Sequence, residues 1–249
     1  MKWIFNFFRL LWRLWFVIVA GLPIILFSPF IFLVIVLDWQ KLFTWFKHIW
    51  GAWILFWMGF WVKLDNQANI DPKKSYIIIS NHTSVMDIMV MLKVIRLPFV
   101  FVGKAELAKL PIFGYLYKKS NVMVDRKSPR SRKEVYDQVQ YFIKKGNSIV
   151  IYPEGGVPDP EIMLAPFKNG AFRMAIEHQL DIIPMVCYDN KRKFPYDLFS
   201  GSPGKLRVKI LPIIQTNQLT LDDVNALRDF SYNLIYNELM NDQLKDAFE

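Results

Sequence analysis

The sequence predicts an α/β protein: a mostly parallel central sheet flanked by helices, preceded by an N-terminal hydrophobic helical segment that anchors it to a membrane. Three observations predict this. From Ser75 onward, short apolar runs alternate with helical patterns, the pattern of a parallel sheet with helices packed on its faces. Before that, Leu14 to Leu37 carries no charge, long enough at ~1.5 Å per residue to cross a hydrocarbon core of ~30 Å. The apolar content is 53%, with a mean hydropathy of +0.19, and much of it lies before Lys63. We therefore divide the 249 residues into anchoring helices over 1–65 and an α/β domain over 66–249.

The N-terminus carries Lys2, Arg9 and Arg13 among aromatics, which places it on the cytoplasmic side of a membrane. The apolar run is too long for the core of a signal peptide, and no small-residue cleavage site follows, so it is read as retained. Pro23 and Pro29 should kink it, which leaves open a helix that dips into the bilayer and returns. Ile49 to Val62 is shorter and rich in Trp, as in segments lying at the interface. A two-pass hairpin returns Lys63 to the cytoplasmic face, and both topologies put the remaining chain there. A buried core helix pair is the competing reading, and the length of the uncharged run stands against it.

Asn66 to Lys74 reads as a polar linker with a turn at Asp71-Pro72. Strands are expected at Tyr76–Ile79, Phe99–Val102, Asn121–Val124, Ser148–Tyr152 and Ile182–Val186, with a longer one within Lys205–Ile214. The clearest helix runs from Ser131 to Lys145. Ser131 and Glu134 form a capping-box pattern, Val135, Val139, Phe142 and Ile143 make its apolar face, and Gly146 stops it. Thr220 with Asp223 caps a second helix running to about Asp242.

The net charge of +9 suits an anionic partner, namely lipid headgroups or a phosphorylated substrate. Nucleic acid is set aside, because no zinc-finger spacing, arginine-rich tail or single-strand-binding signature is present. A single cysteine, Cys187, rules out an internal disulfide and fits a reducing compartment. With only His48, His82 and His178, a histidine-rich metal site is not expected. Gly155-Gly156 is too short for a dinucleotide fingerprint, there is no phosphate-binding Gly-Lys loop, and no cofactor is expected.

The chemistry concentrates at Ser80-Asn81-His82-Thr83-Ser84-Val85-Met86-Asp87, between an apolar strand and an amphipathic helix. Imidazole takes and returns a proton near neutrality. Five residues on, Asp87 cannot share a helical face with His82. With the His in the turn before the helix and the Asp in its first turn, the carboxylate can hold one ring nitrogen while the other faces a substrate. No serine completes the set, so the nucleophile would be a hydroxyl of the substrate. A cap or loop role for the pair is the alternative. Three more blocks follow in order: Gly103-Lys104-Ala105-Glu106-Leu107 with Pro111, Gly114 and Val124-Asp125-Arg126; then Tyr152-Pro153-Glu154-Gly155-Gly156; then Ile183-Pro184-Met185.

Together these blocks resemble the glycerolipid acyltransferase family, most closely the membrane-bound lysophosphatidic acid acyltransferases, over roughly residues 70–215. The resemblance implies transfer of an acyl chain from an acyl-CoA or acyl-carrier-protein thioester to a lysolipid hydroxyl, most simply 1-acylglycerol-3-phosphate, by an enzyme in contact with membrane lipids. It makes His82 the general base and Asp87 its partner. Asn81, Gly103, Lys104, Arg126, Glu154 and Gly155 then belong to the substrate-binding site. Lys104 and Arg126 offer charge-assisted bonds to a phosphate, and backbone N–H groups at the start of the helix after His82 are candidate oxyanion donors. One departure stands out. Where the family's third block continues from Glu-Gly into Ser or Thr and then Arg, this chain has Gly156-Val157-Pro158. Lys104, Arg126 or the basic run Lys127, Arg130, Arg132, Lys133 then substitutes at the headgroup, or the acceptor is another lysolipid, such as an amino-acid-linked one. A non-catalytic membrane lipid-binding homologue is the reading of a different class.

Overall fold

The computed structural model describes residues 2–110, 113–124 and 129–248. Two helices come first, α1 (Lys2–Val36) and α2 (Gln40–Trp57), followed by the strand β1 (Phe60–Asn66). The α/β part continues as β2 (Ile77–Ser80), α3 (Met86–Val94), β3 (Phe99–Lys104), a short 3-10 turn over Ala105–Lys109, α4 (Phe113–Ser120), β4 (Val122–Val124) and α5 (Pro129–Lys144). After it come β5 (Ser148–Ile151), α6 (Gly170–Glu177), β6 (Ile182–Cys187), α7 (Asn190–Lys193), β7 (Gly204–Ile210) and α8 (Val224–Phe248). The seven strands form one sheet in the order β1-β7-β6-β2-β5-β3-β4. Each neighbouring pair is parallel except β6 with β7.

The expected fold class and all six expected strands are present. The central strands are apolar at successive positions because the sheet is covered on both faces. Ile77, Ile79, Ile149 and Val186 point towards the side packed by Val139 and Phe142 of α5, Phe172 of α6 and Ile235 of α8. Ile78, Val150, Ile183 and Met185 point the other way, towards Met89 and Val90 of α3 and Ile54 of α2. This period-2 division holds one register across the sheet, with Ile77 opposite both Ile149 and Ile182.

Helix α5 presents the apolar face read from its sequence, but it starts at Pro129. Ser131 therefore lies inside the helix rather than capping it. Proline suits the first helical turn, since its fixed φ is already helical and its missing N–H would have no partner there. The helix closes at Gly146, φ +76, where Gly146 N–H bonds Ile143 O and Asn147 N–H bonds Phe142 O. At α8, Thr220 donates from its N–H and its hydroxyl to Asp223 Oδ2, as its capping pattern required. The helix then runs to Phe248, beyond the expected end.

The N-terminal pair forms an antiparallel hairpin. Trp15 Nε1 donates to Trp57 O and Trp50 Nε1 to Ala20 O. Helical structure runs unbroken through Pro23 and Pro29. Among the described residues, α1 is the one helix long and apolar enough to cross a membrane, and it exposes Trp3, Phe8, Leu14, Ile25, Phe27 and Leu33. The Ile49–Val62 stretch is divided. Its first part completes α2, which crosses α3 closely enough that a Cβ on Gly51 would stand 2.7 Å from Leu92 Cβ. Its last residues enter β1, the edge strand along β7.

Candidate active site

Strands β2, β3, β5 and β6 run in one direction, so their carboxyl ends share one edge of the sheet, where ligand loops of open α/β sheets collect. Asn81 and His82 follow β2, Lys104 closes β3, Tyr152 to Gly155 follow β5 and Tyr188 to Asn190 follow β6. Segments from the first three blocks, and one just beyond the fourth, which itself lies within β6, are thereby brought to one edge.

His82 lies in the turn before α3 and Asp87 in its first turn. His82 Nδ1–H donates to Asp87 Oδ2 at 3.0 Å. The same oxygen accepts the backbone N–H groups of Thr83 at 2.6 Å and Ser84 at 2.8 Å. Asp87 Oδ1 accepts Asn190 Nδ2–H at 2.7 Å. Four donors thus hold a fully buried carboxylate, while the His82 side chain keeps 16% of its surface exposed. With Nδ1 committed to the carboxylate, Nε2 carries the free lone pair. One face of the imidazole stacks on Tyr152, with ring centroids 4.1 Å apart at 18°. Phe101 stacks on the same tyrosine, 6.5 Å between centroids.

Glu154 is buried. Its Oε1 accepts His82 N–H at 2.6 Å and its Oε2 accepts Ala165 N–H at 2.8 Å. Burial pushes its carboxyl up to about 7, against the pull of those two donors and of His82. Glu154 does not cap a following helix, because α6 begins only at Gly170. Asn81 spends its amide on the neighbouring strand: Nδ2–H donates to Cys187 O and Oδ1 accepts Cys187 N–H, both at 2.9 Å. This ties the His82 loop to the end of β6.

Gly155 adopts φ +78, where an L side chain is strained. The Lys168 stem lies across it, so that a Cβ there would meet Lys168 Nζ at 2.6 Å and Cε at 2.8 Å. Gly103 lies under the Tyr117 hydroxyl, which would stand 1.7 Å from an added Cβ. Lys104 is exposed at the end of β3. Arg126, with Pro111, Asp125 and Lys127, lies outside the described residues.

Three of the N–H groups expected as oxyanion donors at the start of α3 are otherwise engaged. Thr83 and Ser84 N–H hold Asp87, and Met86 N–H donates to Ser84 Oγ. A buried carboxylate at this turn draws those amides inward. Two further contributors escaped the sequence reading. Asn190 stands beside Lys191-Arg192-Lys193, a run that reads as solvated, yet it is wholly buried against Asp87. Tyr152 was visible in its block but offered no sign that its ring supports the imidazole. The signal for both was position: each directly follows a strand at the ligand edge. Cys187 is buried, which raises its thiol well above the ordinary value.

A family model described as Acyltransferase matches residues 61–188. The 1-acyl-sn-glycerol-3-phosphate acyltransferase alpha of Mus musculus is 32% identical over 198 residues, 75% of this chain and 67% of that protein. The 1-acyl-sn-glycerol-3-phosphate acyltransferase of Limnanthes alba is 28% identical over 199 residues, 78% of this chain and 70% of that one. The crystal structure of the 1-acyl-sn-glycerophosphate (LPA) acyltransferase PlsC from Thermotoga maritima superposes with a TM-score of 0.79 over 98% of both chains. At 20% identity that likeness is one of fold.

Proposed function

The chain belongs to the acyltransferase family, and we propose that it transfers a fatty acyl chain from a coenzyme A or acyl-carrier-protein thioester to the free hydroxyl of 1-acylglycerol-3-phosphate, giving phosphatidic acid. The observation that carries this reading is the 3.0 Å contact between His82 Nδ1 and Asp87 Oδ2 on a ring still open to solvent. The named relatives, which act on this acceptor, support it.

In this mechanism His82 Nε2 takes the proton of the acceptor hydroxyl as the oxygen attacks the thioester carbonyl. Asp87 steadies the imidazolium. When the tetrahedral intermediate collapses the C–S bond breaks, and the imidazolium returns its proton to the departing thiolate. A positioned base of this kind contributes about 10²–10⁴-fold, and holding both substrates at one edge supplies proximity without an acyl-enzyme. Lys104, Arg126 and Lys168, whose stem crosses Gly155, are the cations assigned to the acceptor's phosphate. Gly155 leaves room for the Lys168 stem and Gly103 for the Tyr117 hydroxyl, and Asn81 and Glu154 hold the loop that carries His82.

The acceptor is a bilayer lipid, so the enzyme works at a membrane. We assign the anchor to residues 1–65, with the apolar surface of α1 in lipid, and acyl transfer to residues 66–249 on the cytoplasmic face. Strand β1 ties the anchor into the sheet. Radiolabelled thioester and lysophosphatidic acid, offered to purified protein, should release thiol and yield phosphatidic acid, and His82→Ala should abolish this. Near-wild-type turnover by that variant would remove the base from the mechanism. Binding of lysolipid with no thiol release by the wild type would favour a non-catalytic lipid-binding protein.

Val157, where an arginine is expected, favours a second reading in which the acceptor is an amino-acid-linked lysolipid. A panel of acceptors read by thiol release separates the two.

A further inference from the structure

A charged residue inside an otherwise apolar helix is costly unless protein groups satisfy it. Arg13 of α1 is such a residue. It is 8% exposed, and its guanidinium donates to Asp197 O at 2.8 Å and Ser200 O at 3.0 Å. The same group lies 3.7 Å from the centre of the Phe194 ring, within cation–π range. Arg9, one turn earlier, donates to Phe199 O at 2.7 Å. Trp12 and Phe16 of α1 close on Phe194 from the sides, with centroids 5.1 and 5.2 Å away. The first half of the anchor is therefore docked on residues 194–200.

Residues 190–194 face the site on their other side. Asn190 donates to Asp87 Oδ1, and Phe194 O accepts the Ser84 hydroxyl at 2.5 Å. Phe194 N–H bonds back to Asn190 O, so the two contacts belong to one closed turn. Ser84 also gives its N–H to Asp87 Oδ2 and its Oγ to Met86 N–H. This turn thus meets the turn holding Asp87 at two points, and α1 supports it from behind.

We propose that Arg13 is a positioning residue for the His82–Asp87 pair: by fixing the Asn190–Phe194 turn it links the seating of the membrane helix to the alignment of the base. The inference rests on the acyl-transfer reading above. When α1 is displaced from residues 194–200, the turn loses its ring contact at Phe194, and Asp197 O and Ser200 O, which follow it in the chain, lose their donor. Asp87 Oδ1 then loses the Asn190 donor that fixes its direction, and the Ser84 hydroxyl loses its acceptor on the turn. Acyl transfer is efficient only while the anchor is docked.

The test is steady-state kinetics of the purified full chain in vesicles of phosphatidylglycerol and phosphatidylethanolamine, following thiol release. Arg13→Gln should lower kcat at least tenfold with the KM of either substrate within about twofold, and Arg13→Lys should recover part of it, since a lysine keeps the charge but not the planar fork. Ser84→Ala cuts the same link at its far end. Because both variants break one path, the double variant should be little worse than the poorer single one. Additive losses, or an Arg13→Gln enzyme with wild-type kcat, would overturn the proposal. If Arg13→Gln fails to fold, Arg13→Lys takes its place in the same cycle. A wild-type chain that releases no thiol would instead overturn the acyl-transfer reading itself.

Discussion

Glu154 holds the main chain of His82: its Oε1 accepts the His82 N–H at 2.6 Å, and its other oxygen is bound by the Ala165 N–H. The carboxylate of the third block therefore acts on the base through the backbone, joining the β5 loop, the β2 loop and the segment before α6. Two partly buried N–H groups depend on it, and leaving either unpaired costs up to roughly 1–3 kcal/mol, the penalty for a fully buried donor.

That burial makes Glu154 a source of pH-dependent stability. Its folded pKa is raised to about 7 from 4.5, so the folded chain binds this proton more tightly than the unfolded one. The sign follows: stability is highest at low pH and falls as pH rises from about 4.5 through about 7, by on the order of 3 kcal/mol for this group. A glutamine does not titrate, and its amide presents an NH2 donor to one of the two N–H groups. Between pH 5 and 8 the melting temperature of the wild type, measured relative to Glu154→Gln, should fall with rising pH and then level. A constant difference would place the titration elsewhere.

Asp87→Asn separates charge from shape. Asn190 Oδ1 is buried without a hydrogen-bond partner. If its amide turns over, that oxygen can accept from an amide at position 87, and the packing survives. The imidazolium formed during transfer would lose its counter-charge. The variant should melt within a few degrees of the wild type yet lose about 10²–10⁴-fold in kcat, as read by thiol release. Retained activity would return Asp87 to the role of a helix cap.

How far the sequence announced this arrangement depended on burial. The strands at Ile77–Ser80 and Ser148–Ile151 are short apolar runs hidden on both faces, and their pattern reads directly. The edge strand Phe60–Asn66 does not, because Lys63, Asp65 and Asn66 face solvent and resemble the linker that follows. The His82–Asp87 pair was legible because both residues lie in one turn. Asn190, 103 residues further on, reaches the same carboxylate only through the crossover that sets β6 beside β2. No local pattern carries such a contact.

Gly103 is needed for space. An added Cβ would stand 1.7 Å from the Tyr117 hydroxyl and 3.0 Å from its Cζ, so the tyrosine or strand β3 must shift. Overpacking of this kind costs about 1–3 kcal/mol, and each kcal/mol lowers the melting temperature of a chain this size by roughly 2–4 °C. Gly103→Ala should therefore melt several degrees early. Adding Tyr117→Phe, which removes the oxygen in the way, should recover part of the loss. Thermal unfolding of the single and double variants checks this, and an unchanged single variant would show that the tyrosine moves aside freely.

Lys168 lies over the third block. Its stem crosses Gly155, beside the carboxylate that grips His82, and its backbone N–H is fixed to Pro153 O at 2.9 Å. The ammonium thus extends over the third block, where Val157 offers no charge. If it binds the headgroup phosphate, Lys168→Met keeps most of the stem that covers Gly155 and removes only the charge. The KM for lysophosphatidic acid should then rise about tenfold or more, as expected for losing one charge-assisted bond of about 1.5–3 kcal/mol. The KM for the thioester should not move, and monoacylglycerol, which lacks the phosphate, should react as slowly as with the wild type. Equal rises in both KM values would mean that Lys168 supports the loop rather than the headgroup. Unchanged kinetics would leave the phosphate to Lys104 and Arg126.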